Sequence, residues 1–462
     1  MALRDGCGCE FSAESPIAVR GTTKLQVSKK QARQMGWLAA AFLWGGSLVM
    51  GQATQQRQET PSTEDLNYIG AEAVMPPFAE SVVDPNSAFR SGMARKGMAL
   101  RLIEQLQYAQ NTLAGPVPAD QQGYAGQHPF EGAMSHLIFT SDLRQLGLKH
   151  AQFYASGVWN WVSWRPAGPK TLQIWDVDLY KDFGDGLVQV KAGYLSNNLE
   201  FVGLTVGGST ASAAQGVYAV LPYEVGLSYF PLATPGINIR VRGPKSTYFK
   251  NALQRSVDPA GGPAEVARNA TGFRFAPKGD KLLEVAEVGW QHTASTTQRE
   301  MWLRIGYLRN ASPYINLNNG KKEGGNENAF VLFDYQARQP DAGQPQHGLY
   351  AGVTAMTAAA RFNGYDRYYE ARLYQKAPFR KRPADMASLV ASYTGHSRYL
   401  TDALVADGKT VWRNGATVTG SYSVRVRAGH YMGLGLSYLH GPTITPRTDD
   451  ALTFATTYTV FF

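Results

Sequence analysis

The chain has 462 residues, 44% hydrophobic and 11% aromatic, with 48 Gly and 24 Tyr but only 18% charged. An ordinary soluble domain carries about 25% charged residues, so the bias is toward strands, turns and interfacial aromatics. The formal charge of +9 includes six basic and three acidic residues within positions 1 to 53, and the remaining +6 is too mild an excess to imply nucleic acid.

The only long apolar run is Met35 to Met50, MGWLAAAFLWGGSLVM. It is shorter than the roughly 20 residues of a spanning helix and reads as the core of a signal peptide. Lys29, Lys30 and Arg33 precede it, and Gly51-Gln52-Ala53 follows with small residues at the two positions that flank a cleavage point. Residues 1–53 are therefore expected to be a signal peptide with an unusually long leader, cut after Ala53; an uncleaved anchor is the alternative. Cys7 and Cys9 fall upstream of the cut, so the mature chain would carry no thiol.

Residues 54–96 are rich in Gln, Glu, Pro and Ser without sustained alternation. They read as a flexible or partly helical periplasmic segment. From Gly97 onward short alternating runs are separated by Gly, Pro, Asn and Asp, the pattern of strands and turns. The first run, Met98 to Gln110, fits a helical period nearly as well as a strand period. Read as a strand, it puts Glu104 on the face of Leu102 and Leu106, where lipid tolerates a carboxylate only near an interface or at a subunit contact.

Later runs are cleaner. Val188, Val190, Ala192 and Tyr194 oppose Gln189 and Lys191, and Ile237, Ile239 and Val241 oppose Asn238, Arg240 and Arg242. Met301, Leu303, Ile305 and Tyr307 oppose Trp302 and Arg304, while Tyr369, Ala371 and Leu373 oppose Glu370 and Arg372. A charge on a lipid face costs about 2 to 4 kcal/mol near the midplane, so the charged faces should line an aqueous lumen. The last run, ALTFATTYTVFF, sets Leu452, Phe454, Tyr458, Val460 and Phe462 against Thr453, Ala455, Thr457 and Thr459. A strand ending in Phe at the last residue resembles the signal read by the outer-membrane barrel-assembly machinery.

The expected fold is all-β: a transmembrane antiparallel up-and-down barrel over residues 97–462, in the outer membrane of a Gram-negative cell. At roughly 22 residues per strand and loop, that length supports about 16 strands. Backbone groups in lipid must be paired, so the sheet has to close.

Several motifs carry a family resemblance. They are WDVDLYKDFGDGLVQVKAGYLSNNLEF from Trp175, LLEVAEVGW from Leu282 with REMWLRIGY after it, FDYQARQ from Phe333, and APFRKRPADMASLVASYTGHS from Ala377. From about Trp175 to the end the chain resembles the carbohydrate-selective porins of the OprB family, more weakly back to Arg95. Pro378, Phe379, Arg382, Pro383 and Asp385 match the most specific motif. Ala377 stands where the family often has Gly, and Asp176 and Asp178 where Glu is usual. The resemblance implies a 16-stranded barrel through which sugars diffuse into the periplasm.

A sugar channel needs charged hydrogen-bonding groups to replace water and aromatic faces for stacking. Candidates for the polar lining are Asp176, Asp178, Arg240, Arg242, Glu287, Arg304, Glu370 and Arg372, with Trp159, Trp161 and Trp302 as stacking platforms. The alternative for each tryptophan is the interfacial girdle. The expected partners are small sugars, outer-membrane lipid and the assembly machinery, with a homotrimer in keeping with Glu104. No cofactor or metal motif is present, and the eight scattered His residues occur without G-x-S-x-G, H-E-x-x-H or P-loop patterns, which leaves an enzyme without an anchor. Competing readings are a general or anion-preferring porin, which the basic balance permits, and a barrel plugged by residues 54–96.

Overall fold

A computed structural model describes residues 62–70, 75–164, 172–202, 221–229 and 231–462. The expected signal peptide, its cleavage point and both cysteines lie outside the described residues.

Sixteen antiparallel strands form one closed barrel. They are β1 (Met98–Asn111), β2 (Phe130–Asp142), β3 (Ala151–Val162), β4 (Gln173–Phe183), β5 (Val188–Leu195), β6 (Thr234–Arg242), β7 (Thr247–Arg255) and β8 (Leu282–His292). The second half comprises β9 (Met301–Asn310), β10 (Asn326–Arg338), β11 (Gly348–Ala358), β12 (Tyr365–Lys376), β13 (Met386–His396), β14 (Asn414–Arg427), β15 (His430–His440) and β16 (Ala451–Phe461). The ambiguous run from Met98 is a strand because neighbours claim its backbone on both sides. Ile103 stands opposite His136 of β2 and Phe461 of β16. The Phe462 amide donates to the Leu102 carbonyl at 2.8 Å, so pairing runs to the last residue.

Connections alternate in length except around β11 and β12, where the six residues between Ala358 and Tyr365 are fewer than the nine on either side. Two residues join Arg427 to His430, whereas 38 separate Leu195 from Thr234. In outer-membrane barrels the short turns face the periplasm and the long loops the exterior, which places Met98 and Phe461 at the periplasmic end.

Side chains alternate across the wall as the strand period demands. Leu106, Ile305, Val353, Leu389, Leu436 and Phe454 are exposed on the outer face, where a soluble protein would not leave so continuous a belt. Glu104 is on this face too, between Leu102 and Leu106, and accepts a hydrogen bond from Ser135 Oγ at 2.8 Å. The inner face is not uniformly polar as expected. Val285, Leu308, Phe330, Leu332 and Met356 point inward and are buried, because a loop folds back into the lumen and covers them.

That loop joins β5 to β6. Its described parts carry two short helices, α1 (Asn198–Phe201) and α2 (Leu221–Glu224). Phe201, Leu221, Val225 and Leu227 are fully buried against the apolar inner wall. Polar ties fix it: Asn310 Nδ2 donates to the Val225 carbonyl at 2.6 Å, and Asn238 Nδ2 to Asn197 Oδ1 at 2.7 Å. Glu224 accepts from the amides of Gly364 and Tyr365 at 3.2 and 3.0 Å. Burial pushes its carboxyl up to about 8, with those two amides opposing the shift.

Candidate functional site

The infolded loop narrows the lumen against β4 to β7. A cavity of about 200 Å³ remains there, lined by Gly70, Tyr180, Lys191, Glu200, Asn238, Arg240 and Lys250. Strand alternation delivers Tyr180, Lys191, Asn238, Arg240 and Lys250 from adjacent strands, and α1 delivers Glu200. Lys191 Nζ meets Glu200 Oε1 at 2.5 Å. Lys250 Nζ donates to the Glu200 carbonyl and lies 4.9 Å from the Phe201 ring and 3.9 Å from Glu287 Oε1. Arg240 stacks over the Tyr248 ring at 4.2 Å and donates to Gln291 Oε1 at 2.9 Å. Such mixed charge in a confined aqueous passage offers donors and acceptors side by side.

A second polar strip occupies the inner face of β10 to β12. Arg372 donates to Asp334 Oδ1 and Oδ2 at 2.9 and 2.5 Å, to Thr354 Oγ1 at 2.8 Å and to Glu370 Oε1 at 2.8 Å. The Arg372–Asp334 pair spans the intervening strand over Gly352, where a Cβ would sit 2.5 Å from Asp334 Oδ1. Beside it the Tyr350 and Tyr374 rings stack at 4.9 Å, with Lys376 Nζ 4.2 Å from the Tyr350 ring. Flat aromatic faces beside fixed charges suit a ring that is apolar on its faces and hydroxylated at its edge.

A family model described as carbohydrate-selective porin, OprB family, matches residues 168–462. The chain belongs to the OprB family. No curated protein matches it in sequence. Among solved structures it resembles OprB of Pseudomonas putida at high pH, with 15% identity over 81% of this chain and 96% of that one and a TM-score of 0.69. The low-pH structure of the same porin gives 12% identity, 83% and 98% coverage and a TM-score of 0.55. At such identities these likenesses speak for the fold. This OprB-family chain is an outer-membrane sugar-diffusion porin, a channel rather than an enzyme.

Within this OprB barrel the sequence candidates separate into three groups. Asp176, Asp178, Arg240, Glu287, Arg304, Glu370, Arg372 and Trp302 all face the lumen. Asp176 accepts from the Ser196 amide at 2.5 Å and Asp178 from Tyr68 Oη at 3.1 Å. Tyr248 Oη donates to Glu287 at 2.8 Å; Trp302 Nε1 donates to the same Tyr248 oxygen at 2.9 Å. Arg304 donates to the Phe201 carbonyl at 2.9 Å and covers the Trp302 ring at 3.9 Å, so it braces the infolded loop. Arg242 has inward parity but sits at the periplasmic rim, donating to the Asp185 carbonyl at 2.5 Å.

Trp159 and Trp161 need correction. Both point outward, 42% and 46% exposed, because Tyr154, Ser156 and Val158 take the inward positions of β3. They lie toward its long-loop end and belong to the aromatic girdle. The candidate set also left out Lys191, Glu200 and Lys250. Lys191 and Lys250 stood at inward positions of strands and could have been found by alternation. Glu200 could not, since only the infolding of its loop brings it to Lys191.

The motif from Ala377 is a turn at the periplasmic end. Arg382 Nε pairs with Asp385, whose Oδ1 accepts the Arg425 amide at 3.0 Å. Ala377 itself adopts φ 54°, the left-handed region that costs a non-glycine residue about 1 to 2 kcal/mol and that Gly would occupy without strain.

Proposed function

We propose that mono- and small oligosaccharides cross this porin by passive diffusion through the gap beside Lys191, Glu200, Arg240 and Lys250. The observation that carries the reading is the Lys191–Glu200 pair at 2.5 Å bordering a cavity of about 200 Å³ with two further cations. A pair held this way presents both signs to a neutral solute, and a sugar can exchange water for these groups without being trapped. The Arg372 strip and the Tyr350–Tyr374 stack supply further weak contacts. Single-channel recording tests the assignment: glucose should interrupt current in the native channel and lose most of that effect in Lys191→Gln/Arg240→Gln. Undiminished block in the double variant would refute it.

A second reading is an anion-preferring porin, favoured by three cations against one carboxylate around the cavity. A reversal potential set by chloride, with no sugar block, would establish it. The same proposal includes cleavage after Ala53, a Gram-negative outer membrane, and assembly through the strand ending at Phe462. Glu104 and Ser135 on the lipid face support a homotrimer contact there, which crosslinking in detergent would test.

A further inference from the structure

One wall of the constriction comes from neither strand nor inter-strand loop: Gly70 belongs to the segment before β1. The sequence suggested a flexible or partly helical periplasmic segment, with a plug as the alternative; its described stretches lie inside the short-turn mouth, against inward-facing groups of eight neighbouring strands. On the β14 to β16 side, Arg425 donates to Glu80 Oε2 and Oε1 at 2.7 and 3.0 Å, Tyr431 Oη donates to Oε2 at 2.8 Å, and the Val82 amide donates to the Phe461 carbonyl at 2.8 Å. On β1 and β2, Arg101 Nη1 donates to the Pro76 carbonyl and Thr140 Oγ1 to the Leu66 carbonyl, each at 2.6 Å.

The tip is held most closely. Gln152 of β3 donates to the Asn67 carbonyl at 2.9 Å and accepts the Ile69 amide at 3.1 Å. Tyr68 stacks on Tyr154 at 3.7 Å, donates to Asp178 and lies 4.9 Å from Lys191 Nζ. Gly70 turns away at φ 75°, where a Cβ would fall 2.2 Å from the Tyr180 ring. Ile69, between them, is 41% exposed. A passive linker has no need of a bidentate guanidinium, a stacked tyrosine and a glycine fitted to an aromatic face.

We propose that residues 66–70 and 75–83 act as a fixed strap that forms the β1-to-β4 side of the constriction and sets the largest solute admitted. Glu80 is its latch. The Arg382–Asp385 turn acts at one remove, since Asp385 accepts the Arg425 amide and Arg382 Nη2 donates to the Arg425 carbonyl at 3.1 Å. The inference rests on the constriction being the sugar path.

The test uses the full chain with Cys7 and Cys9 changed to Ser. In Ile69→Cys, a trimethylammonium methanethiosulfonate reagent should lower single-channel conductance in a step. The same reagent on outward-facing Leu436→Cys should leave it unchanged. In Glu80→Gln/Arg425→Gln, larger neutral poly(ethylene glycol) chains should enter the pore than enter the native channel. Unchanged conductance after complete labelling of Ile69→Cys, confirmed by mass, or an unaltered polymer exclusion limit in the unlatched variant, overturns the strap. If glucose still blocks the native channel while both strap results are negative, the strap falls and the constriction stands. If glucose fails to block, the sugar path falls, and the polymer measurement still judges the strap.

Discussion

Ile305→Arg puts the assignment of faces to a quantitative test. Ile305 is 52% exposed on the outer wall and stands opposite Val288 of β8 and Val331 of β10. It lies four residues from Met301 in a ten-residue strand. At a rise of about 3.4 Å per residue and a tilt near ~40°, that is roughly 10 Å from one boundary of an apolar band ~25 Å tall, close to the midplane. A guanidinium there should cost about 2 to 4 kcal/mol, or roughly 30- to 700-fold in the folding equilibrium. The neighbouring Arg304 carries the same group at no such cost because it faces inward and donates to the Phe201 carbonyl. Thr417→Arg, at an inward position of β14, is the control and should change stability by less than about 1 kcal/mol. Denaturant titration of reversible folding into phosphocholine vesicles reads both. Equal stability of the two variants would show that the inner and outer faces are misassigned.

Other outcomes follow from single sites. Ala377→Gly relieves a left-handed backbone and should raise stability by about 0.5 to 1 kcal/mol in the same titration. Trp159→Ala and Trp161→Ala should reduce folding yield into vesicles while leaving glucose block intact, since both rings are outside; loss of block would return them to the lumen. Glu80 should make the strap sensitive to acid. Its carboxyl lies below the ordinary 4.5, chiefly because Arg425 hydrogen-bonds to it, with Tyr431 assisting and burial opposing. A depressed carboxyl contributes its full stabilisation above the ordinary value and loses it as pH falls through the lowered one. The polymer exclusion limit should therefore hold from neutrality down to about pH 5 and widen only below the ordinary value, and Glu80→Gln should abolish that dependence.

The barrel was legible because its signal is local. Alternation along β9 and β12 assigns Arg304, Glu370 and Arg372 inward and Ile305 and Leu373 outward without any knowledge of partners, and the lumenal positions agree. The constriction was legible only in part. Glu200 and the strap tip at Tyr68 reach Lys191 and Asp178 across 9 and 110 residues through non-local folding, which no strand period encodes. The inward Val285, Leu308 and Phe330 look anomalous in a polar lumen until the buried face of the infolded loop is laid against them. The tryptophans misled for a different reason, since aromatic character alone fits both a sugar platform and a girdle, and only strand parity separates the two.

We propose that this OprB-family barrel passes sugars through a mixed-charge constriction. Liposome swelling with the native protein and Lys191→Gln/Arg240→Gln, across a panel of sugars and amino acids of matched size, tests it most directly. Sugars should swell native liposomes faster than matched amino acids do, and the variant should lose that preference. Equal rates for both solute classes in native liposomes, or a sugar preference untouched by the double substitution, would contradict it.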